Sequence, residues 1–142
     1  MALHLIKLCV GADSVADLED WVARRSAANI AAGLGPVTQH TTRMFPKRRE
    51  EVLGGGSLYW VIKGVVLVRQ RVVDLRPVSG EDGITRCDII LDRTLYPTQA
   101  QSRRAFQGWR YLRPEDAPAD LDQKSAKAPP ELRAKLAELG LL

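Results

Sequence analysis

The sequence predicts an α+β fold built on a small curved antiparallel sheet or pseudo-barrel that is flanked by helices. Two neighbouring runs, Ser57 to Lys63 and Val65 to Leu75, are rich in β-branched and aromatic residues, which favours strands. The dipeptide Lys63-Gly64 between them is typical of a tight hairpin, because glycine accepts the positive φ that such turns need. The predicted strands follow one another too closely for βαβ crossovers, so a doubly wound fold is not expected.

The first third of the chain predicts a strand followed by a helix. Residues 1–10 form an apolar segment that suits a strand. Ser14, with Asp17 three residues later, resembles a capping box and predicts a helix start. Gly33 and Gly35 are expected to end this helix.

Four further elements are predicted before the C-terminal part of the chain. A short strand is expected over Val37 to Met44, and a brief helix over Lys47 to Leu53 with Pro46 at its first turn. Ile84 to Leu91 alternates as a strand, and Leu95 to Thr98 is a candidate for another.

The length and the change in composition near residue 121 indicate one domain with a tail. A chain of this size buries roughly 68% of its unfolded surface, which is enough for one core. We assign residues 1–121 to a single α+β domain. Residues 122–142 are expected to form a linker and a C-terminal helix docked on the domain, with Leu132, Leu136 and Leu139 on one stripe.

The sequence also predicts a cytoplasmic protein with no membrane segment. No apolar run approaches the roughly 18–20 residues that a membrane helix needs. Residues 1–10 lack a basic start and a small-residue cleavage site, so they do not resemble a secretory signal. Cys9 and Cys87 lie in separate strand-like segments and are expected to be free buried thiols.

The excess of positive charge is concentrated in the middle of the chain. The net charge is +4. Residues 40–113 contain fourteen basic and seven acidic side chains, whereas both flanking segments are slightly acidic. Such a distribution favours a polyanionic partner, although a solvated basic face is an equally simple explanation.

The motifs that usually carry chemistry are weak in this sequence. His4 and His40 have no cysteine or histidine partner at ligand spacing, so neither a metal site nor a cofactor is expected. The run Gly54-Gly55-Gly56 follows a predicted helix and precedes a strand, the reverse of a phosphate-binding loop. Whether the protein is an enzyme is left open.

Two basic clusters point to nucleic acid. The first, Arg43 to Arg49, spans a strand end and a helix start, where cations could meet phosphates or could pair with Glu50 and Glu51. The second, Arg103 to Tyr111, interleaves aromatic rings with guanidinium groups, as base stacking combined with phosphate contact requires. Trp109 could either be such a stacking platform or close the core.

Several segments resemble domain-of-unknown-function family 1489, a set of small alphaproteobacterial proteins. The segments that carry the likeness are Leu5 to Gly11, Gly55 to Gly64, Phe106 to Leu112 and Ala117-Pro118. The likeness covers nearly the whole chain to about residue 121. The family name implies no activity.

The order of elements over Lys47 to Leu75 is also similar to the PUA-like superfamily, including its ASCH and EVE branches. This resemblance implies RNA binding or recognition of a modified base. It also implies, as an alternative, amide hydrolysis on a modified nucleoside, for which Thr42 and Lys47 are present without the matching spacing. PUA-like proteins commonly have Gly-Asp before the strand, whereas here Gly56 is followed by Ser57.

The sequence therefore predicts a module that binds RNA or a modified nucleotide through its basic, aromatic-bearing centre. A nucleoside-directed hydrolase and a protein-interaction module remain alternatives. The residues expected to contact nucleic acid are Arg43, Lys47, Arg48, Arg49, Trp60, Lys63, Arg103, Arg104, Gln107, Trp109, Arg110 and Tyr111.

Overall fold

The computed structural model describes residues 2–104 and 106–121. The predicted linker and C-terminal helix over residues 122–142 lie outside the described residues. The described elements, in chain order, are β1 (His4–Leu8), α1 (Val15–Ala31), β2 (Val37–Thr42), α2 (Arg49–Leu53), β3 (Ser57–Ile62), β4 (Val65–Ser79), β5 (Thr85–Asp92), β6 (Tyr96–Ser102), β7 (Trp109–Leu112) and a 3₁₀ turn (Pro114–Asp116).

The strands form an open mixed sheet in the order β2-β5-β4-β3-β1-β7, with β6 paired to β4. The α+β class is confirmed, and the pseudo-barrel is not. The expectation of a purely antiparallel sheet is wrong at one position, because β1 and β3 pair in parallel from Leu5 opposite Leu58 to Leu8 opposite Val61. Strands that follow one another directly in the sequence are too close for such a crossover, but α1, β2 and α2 together make a connection between β1 and β3 that is long enough.

The central hairpin is confirmed. β3 and β4 pair antiparallel, with Trp60 opposite Val68 and Ile62 opposite Val65. The turn residues Lys63 and Gly64 have φ values of 50° and 80°, as a two-residue hairpin turn of this hand requires. β4 continues beyond its predicted end at Leu75, and its second half pairs with β5.

The helix start at Ser14 is also confirmed. The Ser14 hydroxyl accepts a hydrogen bond of 3.1 Å from the backbone N–H of Asp17. The Asp17 carboxylate in turn accepts one from the N–H of Asp13. α1 then buries Val15, Leu18 and Val22 against the sheet.

The sheet separates two groups of buried apolar side chains. We call the side covered by α1 the helix face; it carries Leu5, Leu58 and Trp60. Side chains alternate along a strand, so Ile6 and Tyr59 lie on the other side, which we call the opposite face. Its buried group is Ile6, Tyr59, Val61, Val66 and Leu112.

Candidate nucleic-acid interface

The edge strand β7 lies against the first basic cluster. The Trp109 indole Nε1–H donates a hydrogen bond of 2.9 Å to the backbone oxygen of Met44. The backbone N–H of Arg48 donates one of 3.1 Å to the Tyr111 hydroxyl, and the Arg48 guanidinium lies 5.7 Å from the centre of the Tyr111 ring. Trp109 and Tyr111 therefore fix the loop after β2 to this edge of the sheet.

The second basic cluster surrounds a cavity at the same edge. Its volume is about 480 Å³, and it is lined by Ile6, Ser102, Arg103, Arg104, Phe106, Arg110, Tyr111 and Leu112. The presence of Ile6 and Leu112 places most of this cavity on the opposite face of the sheet. Tyr111 is the residue that both lines the cavity and contacts Arg48 of the first cluster.

The backbone of Arg103 is bonded to the hairpin turn that contains Lys63. The N–H of Arg103 donates a 2.8 Å hydrogen bond to the oxygen of Gly64, in the turn after β3. The Arg103 guanidinium donates to the Gln101 side-chain oxygen at 3.0 and 2.7 Å. Because this oxygen carries no net charge, the contact positions the guanidinium but does not neutralise its charge. Lys63 in the same turn is exposed.

Arg110 is held over an aromatic ring. Its guanidinium lies 5.5 Å from the centre of the Phe106 ring, within the range of a cation–π contact. Its Nη1 donates to the backbone oxygens of Gln107 and Trp109 at 2.9 and 3.0 Å. The Gln107 side chain is exposed. Phe106, which lines the cavity, is absent from the set predicted from sequence.

The charges around this cavity differ from those of the first cluster. Within the described residues, no carboxylate lies within 4 Å of Lys63, Arg103, Arg104 or Arg110. We call these four residues, together with Phe106, the cationic surface.

The first cluster is partly neutralised. Arg48 pairs with Glu51, and Arg49 pairs with Asp74 at 2.8 Å. The Arg48–Glu51 pair is one that the sequence left open as the alternative for this cluster, whereas Arg49 pairs with Asp74 of β4 and not with Glu50 or Glu51. Arg43 and Lys47 are exposed, and neither has a carboxylate within 4 Å among the described residues.

The two predicted tryptophans do not present open ring faces. Trp60 is 2% exposed and Trp109 is 5% exposed. The Trp60 indole N–H donates to the Gln70 side chain at 2.9 Å, and the Gln70 amide donates to the backbone oxygen of Asp92 at 2.9 Å. Base stacking needs an accessible ring, so we assign both tryptophans to the core. For Trp60 this corrects the sequence prediction, and for Trp109 it is one of the two alternatives that the sequence left open.

A second cavity, on the helix face, was missed by the sequence prediction. Its volume is about 510 Å³, and it lies between the end of β1, the first turns of α1 and the middle of β2. Lys7, Cys9, Trp21, His40 and Trp60 are among the residues that line it. These residues are far apart in sequence and form no recognisable spacing motif. Two features of the sequence could have indicated this cavity: Lys7, which interrupts an apolar strand, and the solitary His40 in β2.

Burial determines the protonation of the groups in this second cavity. Burial, followed by the nearby charges of Lys7 and Arg25, lowers the pKa of His40 from 6.5 to about 4, so its imidazole is neutral at pH 7. Burial raises the pKa of the Cys9 thiol to about 11, so this thiol is not an activated nucleophile. Burial also lowers the pKa of Lys7.

Other chemistry is sparse in the part of the chain that the structure describes. No group of three or more histidine, cysteine, aspartate or glutamate side chains there could hold a metal ion. The described cysteines, Cys9 and Cys87, are both free. None of the described helices is both long and apolar enough to cross a membrane.

The fold is that of a small α+β protein with an open mixed sheet and, at one edge, a cavity lined by arginine and aromatic side chains. A family model described as "Protein of unknown function (DUF1489)" matches residues 5–142, and the chain belongs to this family. The resemblance to this family found in the sequence is thereby confirmed, and the match extends beyond residue 121, where the sequence likeness was expected to end. No curated protein and no solved structure matches the chain.

Proposed function

We propose that this protein binds single-stranded nucleic acid, most directly RNA, through the cationic surface. The observation that carries the proposal is the arrangement of Arg103, Arg104 and Arg110 around one cavity, with Lys63 in the turn to which the Arg103 backbone is bonded. None of them has a carboxylate within 4 Å among the described residues.

Unpaired cations at a concave surface favour a polyanionic ligand. Each phosphate that a lysine or arginine neutralises releases counterions, which supplies most of the sequence-independent affinity for nucleic acid. Arg49 would contribute less affinity for phosphate, because its ion pair with Asp74 would have to break first. The concentration of unpaired cations at one edge is therefore the main support for the proposal.

Aromatic and planar groups favour a single strand. Phe106 is half-buried under the Arg110 guanidinium, and Tyr111 lines the same cavity. A splayed base can stack on a ring or on a guanidinium plane, whereas bases in a duplex are already stacked on each other. Phe106 takes the role that the sequence assigned to the tryptophans.

The first cluster extends this surface around the edge strand. Arg43 and Lys47 are exposed cations on the loop that Trp109 and Tyr111 fix to β7. Strand contacts would therefore run from Arg104 past Tyr111 to Lys47. The PUA-like order of elements over residues 47–75 supports the same proposal.

The hydrolase alternative keeps one supporting observation. Thr42 is buried, and its hydroxyl donates to the Met44 backbone oxygen at 3.2 Å, while Lys47 is exposed. These two residues do not form a reactive pair. The supporting observation is Lys7, a half-buried lysine with a lowered pKa in the cavity on the helix face.

The proposal is tested by matched charge removal. One variant replaces Arg103, Arg104 and Arg110 with glutamine. The control replaces Arg25, Arg71 and Arg93, three exposed arginines that also lack a carboxylate within 4 Å among the described residues. Both lose three charges.

Binding is measured by fluorescence anisotropy with a labelled single-stranded RNA. We expect the first variant to lose at least about tenfold in affinity, since three charge-assisted contacts disappear. The control should bind within about twofold of the parent. Equal losses in both variants, or no binding by the parent, would contradict the proposal. Thermal melting of each variant checks that it is folded.

A further inference from the structure

The cavity on the helix face has a wall of three adjoining aromatic rings, which meet at tilted and edge-on angles. The ring centres of Trp21 and His40 are 4.8 Å apart, and those of His40 and Trp60 are 4.6 Å apart. Trp60 is fixed by its hydrogen bond to Gln70, which is itself bonded to the backbone of Asp92. The wall is therefore held in place before any ligand arrives, which lowers the entropic cost of binding.

The same cavity contains a cation without a partner. Lys7 is half-buried, and no carboxylate lies within 4 Å of its amine among the described residues. The two carboxylates that line the cavity are engaged elsewhere: Asp20 pairs with Arg24 at 3.1 Å, and Asp17 accepts the N–H of Asp13. A partly buried ammonium gains from an anion that enters the cavity.

A second polar group of the cavity is also unsatisfied. The Nε2 atom of His40 is buried and has no hydrogen-bond partner. Such atoms are rare in folded proteins, because each costs roughly 1–3 kcal/mol, and a ligand in the cavity could satisfy this one. Lys7 and His40 therefore both indicate a binding site.

We infer that this cavity binds a small planar aromatic molecule that carries one anionic group, a carboxylate or a phosphate. The ring would lie against Trp21, whose side chain is partly open, and the anionic group would face Lys7. The volume of about 510 Å³ is in the usual range for sites of small ligands. This site is separate from the cationic surface, because the two cavities lie mainly on different faces of the sheet.

The tryptophans provide a direct readout. The chain has three of them, Trp21, Trp60 and Trp109, so a nitrogen-15 spectrum contains three indole N–H signals. Trp21 and Trp60 line the cavity, and Trp109 does not. Benzoate and uridine 5′-monophosphate are titrated separately to distinguish the carboxylate from the phosphate, with benzyl alcohol as the neutral comparison.

We expect at least one of the two anions to shift the Trp21 and Trp60 signals in a saturable way and to leave Trp109 unshifted. Benzyl alcohol should bind at least about tenfold more weakly, since it cannot pair with Lys7. Lys7→Gln should weaken the anion about tenfold or more, and Lys7→Arg should restore part of the affinity. Arg71→Gln, which removes an exposed charge that lines neither cavity, should have no effect.

Three results would overturn the inference. They are the absence of a saturable shift with either anion, equal binding of the neutral comparison, and unchanged binding by Lys7→Gln. The Trp109 signal shows whether each variant is folded. RNA binding by the Lys7→Gln protein is measured in parallel, so a failure of this inference is distinct from a failure of the proposed function.

Discussion

The indole N–H of Trp109 is hydrogen-bonded to the backbone oxygen of Met44 at 2.9 Å. Together with the bond from the Arg48 N–H to the Tyr111 hydroxyl, it joins the edge strand β7 to the loop that carries the first basic cluster. The Trp109 ring also meets Tyr111 edge-on, with 4.8 Å between the ring centres. Trp109 is therefore a core residue, and it positions the two basic clusters of the proposed interface relative to each other.

Replacing Trp109 with alanine should destabilise the protein by about 3–5 kcal/mol, because a large buried ring is lost. Trp109→Phe keeps a ring but removes the donor to Met44, and should cost less. Urea denaturation followed by circular dichroism measures both. An alanine variant that unfolds at the same urea concentration as the parent would contradict the assignment of Trp109 to the core.

The turn at Gly64 gives a second prediction. Gly64 has a φ of 80°, where a β-branched residue is strained, so Gly64→Val should lower the free energy of unfolding by more than about 1 kcal/mol.

The control for this change is Gly54→Ala. Gly54 has a φ of −77°, and a side-chain carbon there would meet the Glu50 and Glu51 backbone oxygens at an ordinary 3.5 Å. We expect Gly54→Ala to change the free energy of unfolding by no more than about 0.5 kcal/mol. Equal effects of the two substitutions would show that the turn does not depend on glycine.

The lowered pKa of His40 makes stability depend on pH. In the unfolded chain the imidazole takes up a proton near pH 6.5, whereas in the folded protein it does so only near pH 4. Between these values the unfolded state binds more protons, so stability falls as the pH falls through this window. The loss is on the order of 3 kcal/mol.

Replacing His40 with phenylalanine should remove most of this dependence. The ring is kept, and the titrating group is lost. Because the pKa of His4 is also lowered by burial and by Arg69, a smaller slope of the same sign should remain. The check is urea denaturation of the parent and the variant at several pH values from 4 to 7. Identical slopes in the two proteins would disprove a buried, neutral His40.

Local patterns in the sequence were sufficient to predict the central hairpin and the start of α1. The hairpin is encoded by a β-branched run with Lys63-Gly64 in its middle, and the helix by the Ser14 cap. The parallel pairing of Leu5 with Leu58 depends on contacts across more than fifty residues, and no local pattern reports such a pairing.

The candidate sites were predictable only in part. The arginines at 103, 104 and 110 were found because they are close together in sequence. Burial of Trp60 could not be deduced, since an aromatic residue beside cations suits both a stacking surface and a core. The cavity of Lys7, Trp21 and His40 is assembled by three separate elements, so its residues acquire their relationship only in the folded chain.

The most direct test of the central claim is the salt dependence of RNA binding. The affinity for a labelled single-stranded RNA is measured at several salt concentrations for the parent and for the variant in which Arg103, Arg104 and Arg110 are glutamine. Each neutralised phosphate contributes about −0.7 to the log–log slope, so we predict that the variant's slope is shallower by about 2. The Arg25, Arg71 and Arg93 control should keep the parent slope. Equal slopes in parent and variant, or binding by the parent that does not depend on salt, would contradict the account.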